Sequence, residues 1–535
     1  MDVKIPCTMA TQHPDSATRV VSVSEEVEEA VQCLKHQDQG LACDEYLVDY
    51  MGKLTPYHQI GQIIKALNKE TDLVPGVDSF ITPRMVSSFQ DEPFRQLMTL
   101  TAVMEGIYNS SQTYGEPGIT EMVHAMTTVR ELRDTRDRAK SILSMLAKDL
   151  KLSASNDIQI IPLFEGVPEL LSMNQMIPEL TKELGSQRLF LGKSETALVY
   201  GHPASSLACK LALADIHILE IALGTPFYPI FGGGALPFRG NICLENSDHF
   251  LLEFRGVKTY TIQSGMRYDH GPVETRTLVE KVKAATGHNE YLEFSAEDRD
   301  LIVQSIAIFA EHYIQELLEI VDKVLKVATL IPNQRERLLE STDISYYQTV
   351  RNLKSFLPFC KDPETRNRLS RLESEKLLHL PRVIRFTAAL YTLGLPPEFI
   401  GTGNALKEIG DRLGQAWLDR LLDEITPSLR HDLAFASKFL SIESSENLVV
   451  TERISCGLKF LRETLDFEEP EASYSALSRT ATNCIRDFWE GKNMMPQQFA
   501  IVLENGNVSE YLNPSIQENM GKLVLDMGKI RGSLG

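Results

Sequence analysis

The chain has 535 residues, 43% of them hydrophobic, with a formal net charge of −19 and a sequence pI of about 5.2. Such acidity excludes non-specific attraction to nucleic acid or anionic membrane, and obliges any anionic ligand to meet a local cluster of arginines. No run approaches roughly 18 apolar residues, the first residues are polar where a signal peptide needs an apolar run, and no two cysteines form a CxxC pair; a soluble, cytoplasmic protein with free thiols is expected.

The segment Thr11-Gln-His-Pro-Asp15 comes first and reads as lying ahead of any regular element. The proline restrains His13 to extended geometry and an imidazole titrates near neutral pH, so His13 is a candidate general base, with an idle loop histidine as the plain alternative. Residues 46–52 and 79–84 read as strands, the second ending on Arg84, with Ile60, Ile63, Ile64 and Leu67 marking a helix between them. Helical spacing covers 94–109 and again 119–150, the latter dense in charged pairs of a solvated face.

Four strand-like runs follow at 158–164, 188–191, 227–231 and 258–263, with helical stretches between them. That rhythm is β–α–β and predicts an α/β barrel or an open doubly wound sheet. In a barrel the active site lies at the C-terminal strand ends, here Glu165, Glu195, the glycines 232–234 and the turn 263–267. Glu165 and Glu195 at neighbouring strand ends suit an octahedral Mg²⁺ or Mn²⁺, or else form rim salt bridges. Phe231-Gly-Gly-Gly234 running on to Arg239 offers free N–H groups beside a guanidinium, a seat for phosphate or carboxylate; a glycine-rich turn with a solvated arginine is the alternative. Gly192-Lys193-Ser194 is no P-loop, because the position of its first glycine, 187, is glutamine.

Beyond about residue 295 the chain reads as almost wholly helical, forming one domain of 1–535 with barrel strands mainly within 40–270. There, 331–337 and 380–385 set Arg335, Arg337 and Arg382 beside prolines at expected helix starts, where the dipole favours anions. The end, 527–535, is small and basic.

Four segments in this order, Thr-Gln-His-Pro at 11–14, Pro-Leu-Phe-Glu at 162–165, Leu-Pro-Phe-Arg-Gly at 236–240 and Gln-Ser-Gly-Met-Arg-Tyr-Asp-His at 263–270, closely resemble those of the archaeal-type phosphoenolpyruvate carboxylases. The likeness runs from residue 3 to the Arg-Gly-Ser-Leu-Gly end, through Gly52-Lys-Leu-Thr-Pro-Tyr-His58 and Leu393-Gly-Leu-Pro-Pro397. It implies a TIM-type (β/α)8 barrel with many added helices, a homotetramer, a requirement for Mg²⁺ or Mn²⁺, and carboxylation of phosphoenolpyruvate by bicarbonate to oxaloacetate and phosphate. A mutase or lyase acting on a related enolate is the alternative, separated by bicarbonate dependence. The resemblance also implies that His13 is the catalytic histidine, that Glu165 and Glu195 hold the metal, and that Arg239 lies in a phosphate-binding loop with Gly233 and Gly234. Arg84, Arg267 and Arg382 fit arginines of the same site, and Arg335 or Arg337 a further one. It further implies an inhibitory aspartate or malate site at Lys438 and Arg531. Two positions depart from the pattern: the family's second metal carboxylate is aspartate where this chain has Glu195, and the bacterial and plant enzymes carry a longer loop with a histidine and an arginine near 231–234.

Overall fold

The computed structural model describes residues 4–12, 15–51, 55–86, 93–125, 128–152, 158–183, 187–286, 291–336, 353–372, 374–445, 448–490 and 514–535. Eight parallel strands close in sequence order into a barrel: β1 (Thr8–Thr11), β2 (Glu45–Asp49), β3 (Phe80–Arg84), β4 (Glu121–Ala125), β5 (Gln159–Phe164), β6 (Arg188–Gly192), β7 (Tyr228–Gly232) and β8 (Thr259–Ile262). β1 pairs with both β2 and β8 and so shuts the cylinder.

Two readings are corrected here. The segment before His13 is a barrel strand rather than irregular chain, so the strands begin at residue 8, well ahead of 40. The stretch 119–150 is not one helix: β4 comes first, and the helix proper is Val129–Asp149, entered at Thr128, whose side chain accepts from Glu131 N. A strand of only four or five residues has too few alternations to stand out beside a long helical pattern.

The barrel interior is layered. Glu45, Glu121, Arg188 and Thr259, the first residues of the four even-numbered strands, meet at the N-terminal end. Arg188 donates to both Glu45 oxygens (2.9 and 2.7 Å), to Glu121 (2.8 Å) and to Thr259 (3.3 Å), while Thr82 also donates to Glu45. Above them Met9, Leu47, Val123, Ile161, Leu163, Phe190 and Ile230 fill the middle with an apolar plug, as expected of a barrel that is packed rather than hollow.

Helices wrap the outside through apolar stripes: Ile60, Ile63, Ile64 and Leu67 of Gln59–Glu70 are all fully buried, at the spacing that places them on one face. Past the barrel the helix Ala296–Ala328 starts at Ser295, which accepts from Asp298 N, and packs against both His202–Leu223 and Thr402–Leu413. Gly401, at φ 72°, and Gly201, at φ 86°, both lie against Tyr313, where any side chain would collide. The first fixes Thr402–Leu413 against the long helix, and the second seats that helix against the end of Lys193–Tyr200, which follows β6.

Candidate active site

One cavity opens at the C-terminal mouth, and its lining includes Thr11, Arg84, Glu165, Ser194, Glu195, Arg239 and Gln263, over a floor of Leu47, Leu163 and Phe190. β3 ends on Arg84, Glu165 follows β5, and Glu195 lies in the first turn of the helix Lys193–Tyr200 that leaves β6. Sequence-distant strand ends thus bring both candidate metal carboxylates and two of the candidate arginines together.

Glu165 accepts from Arg84 Nη2 at 3.1 Å through one oxygen, and its other oxygen, Oε2, is buried with no hydrogen-bond partner. Burial pushes its pKa up to about 7; Arg84 opposes the rise, while Glu195 and Asp49 add to it. A buried carboxyl with an unused oxygen, facing other carboxylates, is a place that favours a cation. Asp49, fully buried at the end of β2, was not singled out from the sequence, although its position as the last residue of a strand marks it.

Arg239 is wholly buried. Its Nη1 donates to Gly535 O (2.6 Å), Nη2 to Gln263 Oε1 (2.6 Å) and Nε to Ser194 Oγ (3.3 Å). Among the described residues no side-chain carboxylate lies within ion-pair distance of it, and burial pushes its pKa down to about 9, with distant Asp15 opposing; it stays protonated at neutral pH. A charged, desolvated fork with no side-chain carboxylate against it among the described residues favours an anionic ligand.

The glycine loop works differently from expectation. The amides of Gly233 and Gly234 are not free: they donate to Thr261 Oγ1 (3.0 Å) and Arg239 O (2.8 Å). The glycines serve close packing instead, since a Cβ on Gly234 would stand 2.7 Å from Gln263 Oε1 and 3.0 Å from Arg239 Cζ. From outside, the helical half grips the same loop: Glu398 accepts from Phe238 N (2.8 Å) and Asp432 from Asn241 Nδ2 (2.7 Å).

His13 lies outside the described residues, but its flanks are at the mouth. Thr11 lines the cavity, and Asp15 pairs with Arg382 (3.1 Å), the residue capping the helix Val383–Thr392. Arg267 is not among the lining residues: it pairs with Glu29 (3.2 Å) on the barrel flank and donates to Thr11 O (2.6 Å). Arg335 is held by the same glutamate (2.5 Å) and by Glu26 (3.2 Å), and Arg337 is outside the described residues. A cavity of about 380 Å³ opens beside Arg19, Glu28, Arg267 and Tyr268. Two of its cations, Arg19 and Arg267, are already matched by the side chains of Glu25 and Glu29.

Lys438 is partly exposed and pairs with Glu468 (3.2 Å) and Glu245 (3.9 Å). Arg531 is buried, donating to Tyr474 OH (3.0 Å) and Leu534 O and lying 5.2 Å from the centre of the Tyr391 ring. Lys438 and Arg531 form no hydrogen bond or ion pair with each other.

A closed parallel barrel whose C-terminal mouth gathers two glutamates, a second arginine and a buried arginine with no side-chain carboxylate against it among the described residues defines an α/β-barrel enzyme handling a small anion. The chain belongs to the phosphoenolpyruvate carboxylase family, whose model matches residues 5–535. Curated phosphoenolpyruvate carboxylases of Methanosarcina acetivorans and Methanopyrus kandleri are 36% and 37% identical, covering 99% and 100% of this chain and 99% of each relative. A solved Haloferax volcanii malate synthase magnesium/glyoxylate complex aligns over 71% of this chain and 99% of its own, with a TM-score of 0.39 at 13% identity.

Proposed function

We propose that the barrel mouth is where this carboxy-lyase joins phosphoenolpyruvate and bicarbonate to give oxaloacetate and phosphate. The observation that carries the assignment is Arg239: a fully buried guanidinium with no side-chain carboxylate partner among the described residues, in the same cavity as Glu165 and Glu195. Its planar fork suits the phosphoryl oxygens, and Gln263 and Ser194 hold it in one orientation before substrate arrives.

In the reaction a bicarbonate oxygen attacks phosphorus and the bond to the enolate oxygen breaks, leaving carboxyphosphate and the enolate of pyruvate. Arg239 and Arg84 balance charge on the transferring group. His13 takes the carboxyl proton of carboxyphosphate, which splits into CO₂ and phosphate, and the enolate carbon captures the CO₂. Arg267, through its bond to Thr11 O, fixes the strand end two residues before His13. The apolar floor of Leu47, Leu163 and Phe190 keeps water from the enolate. Glu165 and Glu195 are the residues that would hold Mg²⁺ or Mn²⁺, which when bound supplies a hard Lewis acid for charge developing on substrate oxygens.

The same reading includes a cytoplasmic homotetramer. Among the described residues no helix is long and apolar enough to cross a membrane. Phe94, Met98 and Tyr108 are exposed at helical spacing on Pro93–Tyr114, a face suited to a subunit contact. Feedback by a dicarboxylate, aspartate or malate, is assigned to Lys438, with Arg531 anchoring the end segment. The test is oxaloacetate production followed through malate dehydrogenase, with bicarbonate and metal omitted in turn. Product should require both; product without bicarbonate would point to a mutase or lyase. His13→Asn should abolish oxaloacetate while some bicarbonate-dependent phosphate release survives, and unchanged oxaloacetate would remove His13 from the mechanism.

A further inference from the structure

The elements that carry Glu195 and Arg239 meet at one residue of the helical half. Asp432, on the buried face of the helix Ser428–Ser437, uses one carboxylate oxygen to accept from Asn241 Nδ2 (2.7 Å) and the other to meet His202 Nε2 (3.0 Å). His202 Nδ1 in turn lies 3.4 Å from the ammonium of Lys193, which also donates to His202 O (3.1 Å) and to Ser205. One tautomer satisfies this chain: the ammonium donates to Nδ1, and Nε2–H donates to the carboxylate.

Each arm ends next to a site residue. Lys193 opens the helix whose first turn contains Glu195. Asn241 closes the loop of Arg239: it follows Gly240 and holds φ 54°, a left-handed conformation that costs a non-glycine residue energy, while its N donates to Leu236 O (3.0 Å) and its O accepts from Asn246 (2.8 Å). Lys193 is fully buried, His202 and Asn241 are 2% exposed, and Asp432 is 7% exposed, so these bonds are screened from water and any one left unmade is costly.

We propose that Asp432 is a positioning residue of the carboxylase: a single carboxylate in the helical half that sets both the metal-side helix, through His202 and Lys193, and the anion-side loop, through Asn241. It touches neither substrate nor metal. The inference rests on the reading of Glu195 as a metal ligand and Arg239 as an anion seat, and it assigns the helical half a part in assembling a site most of whose lining residues come from the barrel. It also distinguishes Asp432 from its neighbours: Glu398 grips only the anion-side loop, and Lys438 grips neither.

The arms can be cut one at a time. Asn241→Gly keeps the left-handed backbone without strain but loses the bond to Asp432; His202→Phe keeps the ring but loses both nitrogens; Asp432→Asn keeps the shape and removes the charge shared by the two. Melting midpoints establish that each variant is folded. Mn²⁺ binding is then read from the electron paramagnetic resonance of free Mn²⁺, and inorganic phosphate binding by calorimetry, both without substrate. Asn241→Gly should weaken phosphate about tenfold and leave Mn²⁺ unchanged, while His202→Phe should do the reverse. Asp432→Asn should weaken both by about 10- to 100-fold, with kcat for oxaloacetate falling and KM for phosphoenolpyruvate rising. A folded Asp432→Asn with wild-type affinity for both ligands overturns the proposal, as does either single-arm variant that weakens the two ligands equally. Should Asp432→Asn not fold, the single-arm variants decide alone. Glu195→Gln and Arg239→Lys serve as controls. If those leave Mn²⁺ and phosphate binding intact, the site reading itself fails, whereas if they abolish binding and Asp432→Asn does not, only the brace fails.

Discussion

Both ends of the barrel bury an arginine among carboxylates, and they do so to opposite effect. At the N-terminal end Arg188 is gripped by both oxygens of Glu45 and by Glu121, with Thr82 and Thr259 completing the set. Charge meets charge there, and nothing is left to bind. At the mouth the same kinds of residue are kept apart: among the described residues Glu165 keeps an unpartnered buried oxygen beside Glu195 and Asp49, and Arg239 is met by Gln263, Ser194 and an oxygen of Gly535 rather than by an Asp or Glu side chain. On the proposed function, the mouth is the catalytic centre because its charged groups stay available for metal and substrate to complete.

The comparison is easiest to break at the closed end. Arg188→Met would leave Glu45, buried, and Glu121, half-buried, without their guanidinium, at a cost of about 3–5 kcal/mol; chemical denaturation should show it as a marked loss of midpoint. Replacing Arg188, Glu45 and Glu121 together by apolar residues of similar volume should recover most of that loss with KM for phosphoenolpyruvate near wild type. A raised KM in the recovered triple variant would mean that the floor takes part in the site. At the open end Arg239→Lys should cost about 10²- to 10³-fold in kcat, because a point charge cannot reproduce a two-pronged contact, with far less effect on the denaturation midpoint. Wild-type kinetics in Arg239→Lys would return the loop to an ordinary glycine turn.

The unused oxygen of Glu165 gives a pH signature. With its pKa raised to about 7 by burial and by the neighbouring carboxylates, Glu165 is protonated in the metal-free site at pH 6 and ionised at pH 8. A cation must displace that proton, so metal affinity should rise from pH 6 to pH 8, by about tenfold, and level off above. Mn²⁺ titrations at the two pH values measure it, and Glu165→Gln should bind more weakly with the slope gone. Equal affinity at both pH values in the wild type would take Glu165 out of the metal site.

How much of this is legible before folding depends on whether the signal is local. β5, β6 and β7 announce themselves because most of their positions on both faces are apolar, as in parallel strands buried on two faces, and β8 through its β-branched and aromatic residues. β4, Glu121-Met-Val-His-Ala125, hides because two of its five residues are polar: Glu121 reaches inward to Arg188 and His124 outward to Thr135 (2.7 Å). Glu165, Glu195 and Arg239 were found through position at strand ends and through resemblance. The condition of Arg239 was not, since its partners Gln263 and Gly535 lie 24 and 296 residues away. Asp432 is the extreme case. In sequence it is one acidic residue on a helix; its partners His202 and Asn241 are 230 and 191 residues distant, and only the closure of the helical half over the rim brings them together.

The smallest expected effect sharpens the contrast from outside the barrel. Lys438 caps the same helix that carries Asp432, but it faces partly into solvent and its partners, Glu468 and Glu245, are exposed carboxylates. Exposed pairs of this sort contribute little, at most about 1 kcal/mol, so an incoming dicarboxylate displaces them at low cost and finds a cation already oriented by the Phe435 ring, 5.5 Å from the ammonium. Since neither arm of Asp432 passes through Lys438, Lys438→Ala should leave uninhibited turnover nearly unchanged and raise the aspartate concentration for half-inhibition several-fold, of the order expected for one lost charged hydrogen bond. Inhibition curves for wild type and variant at fixed phosphoenolpyruvate measure it. Curves that superimpose while the wild type is clearly inhibited would exclude Lys438, and a fall in uninhibited turnover would show that the outer end of this helix reaches the catalytic loops after all.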